Sequence, residues 1–191
     1  MNEKLKERLN KILPRISSLE FLEGRGLGNE ISFYIFDYPP EDELLVRDHI
    51  KVILNNLSKK KPGFKIKNIN LFQLIAGYLK KRNLWDRAVK LQCERGNEET
   101  LKALSAPLHE EKIAKVFINE AQPDQHDLIF ITGVGNVWPI LRSHTLLNNL
   151  HPLLERIPLV LFYPGVYDGQ GLRLFGKLQD NNYYRAFQLV D

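Results

Sequence analysis

The sequence predicts an α/β protein, a mainly parallel sheet flanked by helices. Three observations carry this. Asp127-Leu-Ile-Phe-Ile-Thr-Gly-Val-Gly135 reads as a buried strand running into a tight glycine turn. The stretch that follows, to about Leu150, has helical character. A second apolar run, Pro158-Leu-Val-Leu-Phe-Tyr163, comes soon after. Strand, helix, strand is the crossover unit of a parallel sheet.

Taken in order, residues 2–22 form an amphipathic helix with Leu5, Leu9, Ile12 and Leu13 at helical spacing, and Pro14 is expected to break it. Gly24-Arg-Gly-Leu-Gly28 precedes a strand, Ile31-Ser-Phe-Tyr-Ile-Phe36, whereas a phosphate loop follows one. It therefore reads as a turn. Asp37-Tyr-Pro-Pro-Glu-Asp-Glu43 opens a helix, its prolines and acids suited to the positive end. Val46, Ile50, Ile53, Leu54 and Leu57 form the buried stripe, and Lys59-Lys-Lys-Pro-Gly63 stops it. Phe64-Lys-Ile-Lys-Asn-Ile69 begins by alternating apolar and basic residues, as a strand near a sheet edge does.

Residues 70–121 are mostly helical. Leu71, Leu74, Ile75 and Leu79 mark one helix; Leu84, Ala88 and Leu91 a second, ending near Gly96; Glu98–Leu104 a short third. Beyond Pro107, Ile113, Ala114, Phe117 and Ile118 mark the last. This is longer than one crossover helix needs, so a helical subdomain is expected within a single α/β domain spanning 1–191. After Thr132–Gly135, Asn136 is an N-cap candidate, Pro139 suits a first helical turn, and Pro152 ends the helix. Beyond Tyr163 come a glycine-rich stretch, a strand or short helix near Leu172–Phe175, a turn at Asp180-Asn-Asn182, and a closing strand over Tyr183–Val190.

Composition narrows the class. The chain has 191 residues, 43% of them apolar, enough for a sizeable core. No apolar run approaches the roughly 20 residues needed to span a bilayer. The first residues are charged, without a signal-peptide core, and Cys93 is the only cysteine. A soluble cytoplasmic protein without membrane association is expected. The charge is uneven. Residues 51–90 carry eleven basic side chains against Asp86 alone, a local +10 in a chain of net +4. Lys59, Lys60, Lys61, Lys65, Lys67, Lys80, Lys81 and Arg82 are the candidate nucleic-acid contacts. The same pattern also fits solvated faces of separate elements.

Chemistry is sparse. Gly133 and Gly135 sit where a nucleotide loop would, yet Trp138 takes the third position of G-x-G-x-x-G and no G-x-x-x-x-G-K-[ST] occurs. A degenerate nucleotide site at Thr132–Asn136 and a plain tight turn both remain open, the turn favoured. His49, His109, His126, His144 and His151 form no metal-binding spacing, and there is no G-x-S-x-G elbow. No cofactor and no catalytic residue are expected. A ligand or partner surface is placed at the carboxyl ends of the strands, on Thr132, Trp138, Arg142, His144, Tyr163 and Asp168, or on the acidic flank Glu41, Asp42 and Glu43.

Four segments resemble the BrxB family of bacterial BREX phage-defence systems. They are Leu13-Pro-Arg-Ile-Ser-Ser-Leu-Glu-Phe-Leu22 with Gly24–Glu30; Phe33-Tyr-Ile-Phe-Asp-Tyr-Pro-Pro-Glu-Asp-Glu43; Thr132-Gly-Val-Gly-Asn-Val-Trp-Pro-Ile-Leu-Arg-Ser-His144; and Phe162-Tyr-Pro-Gly-Val-Tyr-Asp-Gly-Gln170 with Leu172–Gly176. The resemblance implies a small accessory subunit without catalytic activity. It implies association with a PglZ-type protein of the alkaline-phosphatase-like superfamily. DNA contact, direct or through the complex, is the alternative. The central unit also resembles a Rossmann-like or AAA-type core stripped of its phosphate loop, a likeness of fold alone.

Overall fold

A computed structural model of the chain describes residues 3–22, 33–154, 157–179 and 186–191. Five of the seven strands among them order as β2 (Ile66–Asn70), β3 (Leu128–Thr132), β4 (Leu159–Tyr167), β1 (Phe33–Tyr38) and β7 (Phe187–Gln188), all pairing in parallel. β4 then continues into an antiparallel ribbon with β5 (Leu172–Leu174) and β6 (Leu178–Gln179). Seven helices surround the sheet in the described residues: α1 (Glu3–Ile16), α2 (Leu19–Leu22), α3 (Glu43–Lys60), α4 (Leu71–Lys81), α5 (Trp85–Ser105), α6 (Glu110–Ala121) and α7 (Ser143–Leu150).

The strands are apolar on both faces because both faces are covered, as parallel sheets require. Alternation along each strand divides the core in two. Phe33, Ile35, Ile129, Ile131, Leu159 and Leu161 pack with α4, α6 and α7. Tyr34, Phe36, Leu128, Phe130, Val160 and Phe162 pack with α1 and α3 on the other side. The predicted insertion contributes directly to the first of these layers, through Leu71, Ile75 and Leu79 at its start and Ile113 and Phe117 at its end. Between them α5 is exposed along residues 92–99, and Gly96 breaks its helical path with φ 80°. The β2 strand is an edge strand, as its basic–apolar alternation suggested.

Several expectations are corrected. Pro14 does not break the first helix. Only the final turn lies beyond it, and the chain turns instead at Ser17–Ser18. Asp37 and Tyr38 are strand residues, paired with Tyr163 and Pro164, so the helical path starts later, with a 3-10 turn at Pro40–Asp42. The helix after the glycine turn begins at Ser143 and not near Asn136. Trp138 precedes a proline, is driven out of the helical region (ψ 139°), and joins a cis peptide bond. The β4 strand runs four residues past Tyr163. The closing strand is seen at Phe187–Gln188, while Tyr183–Arg185, Asp180–Asn182, Gly24–Gly28 and Ile31–Ser32 lie outside the described residues.

The α1 helix is fastened to α3 by His49, whose Nε2 donates to the Leu9 carbonyl at 3.0 Å. Burial pushes the His49 pKa below its ordinary value of about 6.5, the hydrogen bond opposing this. The unfolded chain therefore binds this proton first. Stability from this site is intact above about pH 6.5 and declines as the pH falls below it. His49→Gln should flatten that part of the stability–pH curve. Urea melts at pH 7.5 and 5.5 check this, and an unchanged pH difference in the variant refutes it.

Candidate functional site

The parallel register sets Asn70 beside Thr132 and Asp37 beside Tyr163, at the carboxyl ends of neighbouring strands. Open α/β sheets bind ligands at this rim. Thr132 Oγ1 donates to the Asn68 carboxamide at 3.3 Å and lies 3.5 Å from the Ile69 carbonyl. At the start of α3 the Tyr38 hydroxyl donates to Glu43 Oε2, and Arg47 donates to Glu43 Oε1 at 3.1 Å. Burial, then the bond to Glu43, hold the Tyr38 phenol protonated far above the ordinary tyrosine range. These groups, with Lys51 and Gln73, line a cavity of about 180 Å³ between α3 and the ends of β2 and β3.

The glycine turn is filled by the protein's own side chains. Gly133 has φ +71°, and a Cβ there would lie 2.7 Å from the Asn70 carboxamide. A Cβ on Gly135 would lie 2.9 Å from the Phe175 ring and 3.2 Å from Pro164. The N–H groups of Asn136 and Val137 donate back to Gly133 and Val134 at 3.3 Å each. The glycines therefore serve close packing and a left-handed turn. Asn70 and Phe175 fill the space that side chains at these two positions would take.

The predicted strand-end residues do not converge. Thr132 and Glu43 share the cavity described above. Trp138 and Arg142 are exposed beyond the turn, where the Arg142 carbonyl accepts the Leu146 N–H. His144 and Tyr163 are buried, and His144 Nε2 lies 3.0 Å from the Thr145 hydroxyl. Asp168 closes the β4–β5 turn, accepting from the Gln170 and Gly171 N–H groups at 3.1 and 2.8 Å. Those bonds hold its carboxyl below the ordinary range. Glu41 and Asp42 belong to the 3-10 turn before α3. Among the described residues no group of three or more His, Cys, Asp or Glu side chains is placed to hold a metal ion.

The basic residues are spread over three elements. Lys59 and Lys60 end α3, Lys65 precedes β2, and Lys80, Lys81 and Arg82 lie at the end of α4, all of them exposed. Lys67 is neutralised by Glu120 at 2.9 Å, and Lys61 donates to the Ser17 carbonyl at 2.8 Å. Lys80 lies over the Trp85 ring, and Arg82 bonds the Tyr78 hydroxyl.

Sequence reasoning missed a larger cavity of about 510 Å³, bounded by β2, α4 and α6. Asn68, Ile69, Asn70 and Gln73 line it on the strand side, Gly77, Tyr78 and Lys81 along α4, and Asn119 and Glu120 on α6. The available signal was Asn70 ahead of a helical apolar stripe, an N-cap pattern; its side chain accepts from the Gln73 N–H at 3.1 Å. Gly77 has ordinary helical backbone, and a Cβ there would meet nothing within 4 Å. Gly77→Ala should therefore raise unfolding free energy by about 0.8–1 kcal/mol, the helix-propensity difference. A denaturant midpoint that fails to rise contradicts this.

Comparison with known proteins gives a consistent result. The family model for "BREX protein BrxB" matches residues 67–189. A BREX protein BrxB of Bacillus cereus (strain H3081.97) is 42% identical over 192 aligned positions, covering 98% of each chain. One from Escherichia coli O9:H4 (strain HS) is 40% identical, covering 97% of this chain and 92% of its own. No solved structure matches.

Proposed function

This chain belongs to the BrxB family and is a component of a BREX phage-defence system; from that premise we propose that it is a non-catalytic binding subunit that holds a PglZ-type protein of the same system. The observation that carries the reading is the closed glycine turn. At the rim where this architecture would bind a nucleotide, Asn70 and Phe175 fill the space against Gly133 and Gly135, and Asp168 is committed to a turn. What the fold leaves open are grooves lined by polar side chains, suited to another protein. Among the described residues no helix is long and apolar enough to cross a membrane.

The test is co-purification of a tagged chain with its genomic neighbours. A PglZ-type protein recovered in fixed ratio, and co-eluting in size exclusion at micromolar concentration, is the expected result. Separate elution counts against it. A second reading, direct nucleic-acid binding, draws on the exposed Lys59, Lys60, Lys65 and Lys81. It requires affinity that falls steeply with salt, with a log–log slope of about −0.9 per phosphate contacted on duplex DNA. A flat response removes it.

A further inference from the structure

We propose that the open edge of β2 receives an extended, acid-bearing segment of a partner protein, which joins the sheet as an added strand. The inference rests on the binding-subunit reading and locates its surface. The β2 strand pairs with β3 on one side only among the described strands. Such edges are normally blunted or covered, because their backbone groups template further pairing. Here the edge is flanked by space on both faces. The 510 Å³ cavity lies on the α4–α6 side and the 180 Å³ cavity on the α3 side, and both are lined by Asn68, Asn70 and Gln73.

An added strand points successive side chains to opposite faces of the sheet. Laid along β2, it would send them alternately into the two cavities, so that backbone pairing supplies affinity and the cavities supply selectivity. The α4 wall has a glycine, Gly77, whose missing side chain keeps the larger cavity open. Charge selects the occupant. Glu120 is matched by Lys67 and Glu43 by Arg47, whereas Lys81 is exposed at the far end of α4 with no carboxylate pairing it among the described residues. A carboxylate on the incoming segment answers that charge. Residues of α3, α4 and α6 wall the two cavities beside the strand.

The experiment uses the full chain, tagged and coexpressed with the PglZ-type protein. Gly77→Arg, which fills the larger cavity, and Lys81→Glu should each lower the recovered partner about tenfold or more. Neither variant should lower the melting temperature by more than about 2 °C. In the unmodified complex, the amides of residues 66–70 should exchange with deuterium more slowly than in the free chain. Full recovery with both Gly77→Arg and Lys81→Glu, or unaltered exchange along β2, overturns the added strand while leaving the binding-subunit reading standing. No recovery with the unmodified chain overturns both. Self-association of the free chain that Gly77→Arg abolishes assigns the edge to a second copy and overturns the proposal.

Discussion

Replacing Asp37 with alanine is expected to remove about 3 kcal/mol of stability, the lower end of the range for breaking a buried ion pair from one side, because this pair is partly buried. Asp37 is the penultimate residue of β1 and joins four parts of the chain. Arg8 of α1 donates to its Oδ1 at 2.7 Å and to its main-chain carbonyl at 2.8 Å. The same guanidinium reaches the Val190 carbonyl at 3.5 Å and lies 4.9 Å from the Phe36 ring centre. The second carboxylate oxygen accepts the Tyr167 N–H of β4 at 3.2 Å. Both side chains are about 15% exposed, so solvent screens the pair weakly. Alanine leaves the Arg8 charge without its counter-ion and the Tyr167 N–H without its acceptor. Guanidinium melts check the loss. A cycle with Arg8→Leu should be non-additive, the double variant losing less than the two single losses combined. A loss below about 1 kcal/mol for Asp37→Ala would place the pair among surface ion pairs and refute the argument.

Gly165→Ala is expected to cost about 3 kcal/mol, the upper end for overpacking a filled site. At this residue β4 changes partners. Pro164 pairs in parallel with Tyr38, and Gly165 pairs antiparallel with Leu174. A Cβ at Gly165 would stand 2.2 Å from the Arg173 carbonyl oxygen and 2.9 Å from the Tyr163 ring. The obstacle is the backbone of a paired strand, which yields only if the ribbon opens. Opening it would draw Phe175 away from Gly135, so increased proteolysis within residues 169–178 should accompany the loss. Gly169→Ala is the control. It has open space but φ +87°, so only left-handed backbone strain applies, about 1 kcal/mol. Equal losses in the two variants would refute the steric account.

The layered architecture was legible because burial on both faces writes itself as unbroken apolar runs, such as Leu128–Ile131 and Leu159–Tyr163. The edge position of β2 showed in its lysines, and the kink at Gly96 in the lapse of the helical stripe. The site was less legible for a physical reason. A polar residue reads the same whether it faces a ligand or closes a turn. Asp168 proved to be a turn acceptor, and Glu43 the partner of Tyr38. Asp37, read as a helix-start acid, is instead a strand residue pairing with Arg8, 29 positions away; no local pattern encodes that. The cavity beside β2 takes its walls from residues 68–81 and 116–120, so spacing alone does not assemble it.

The tie between α1 and the last residues has a practical consequence. Arg8 and Lys11 reach the Val190 and Asp191 carbonyls, so the middle of α1 and the last residues lie together beside β7. That strand and β2 are opposite margins of the sheet. Affinity handles or fluorescent reporters fused at either end would emerge on the β7 side, with the whole breadth of the sheet between them and β2. Pull-downs from either end should therefore report on the same unobstructed margin, and a joined-end, reopened variant would keep both layers intact.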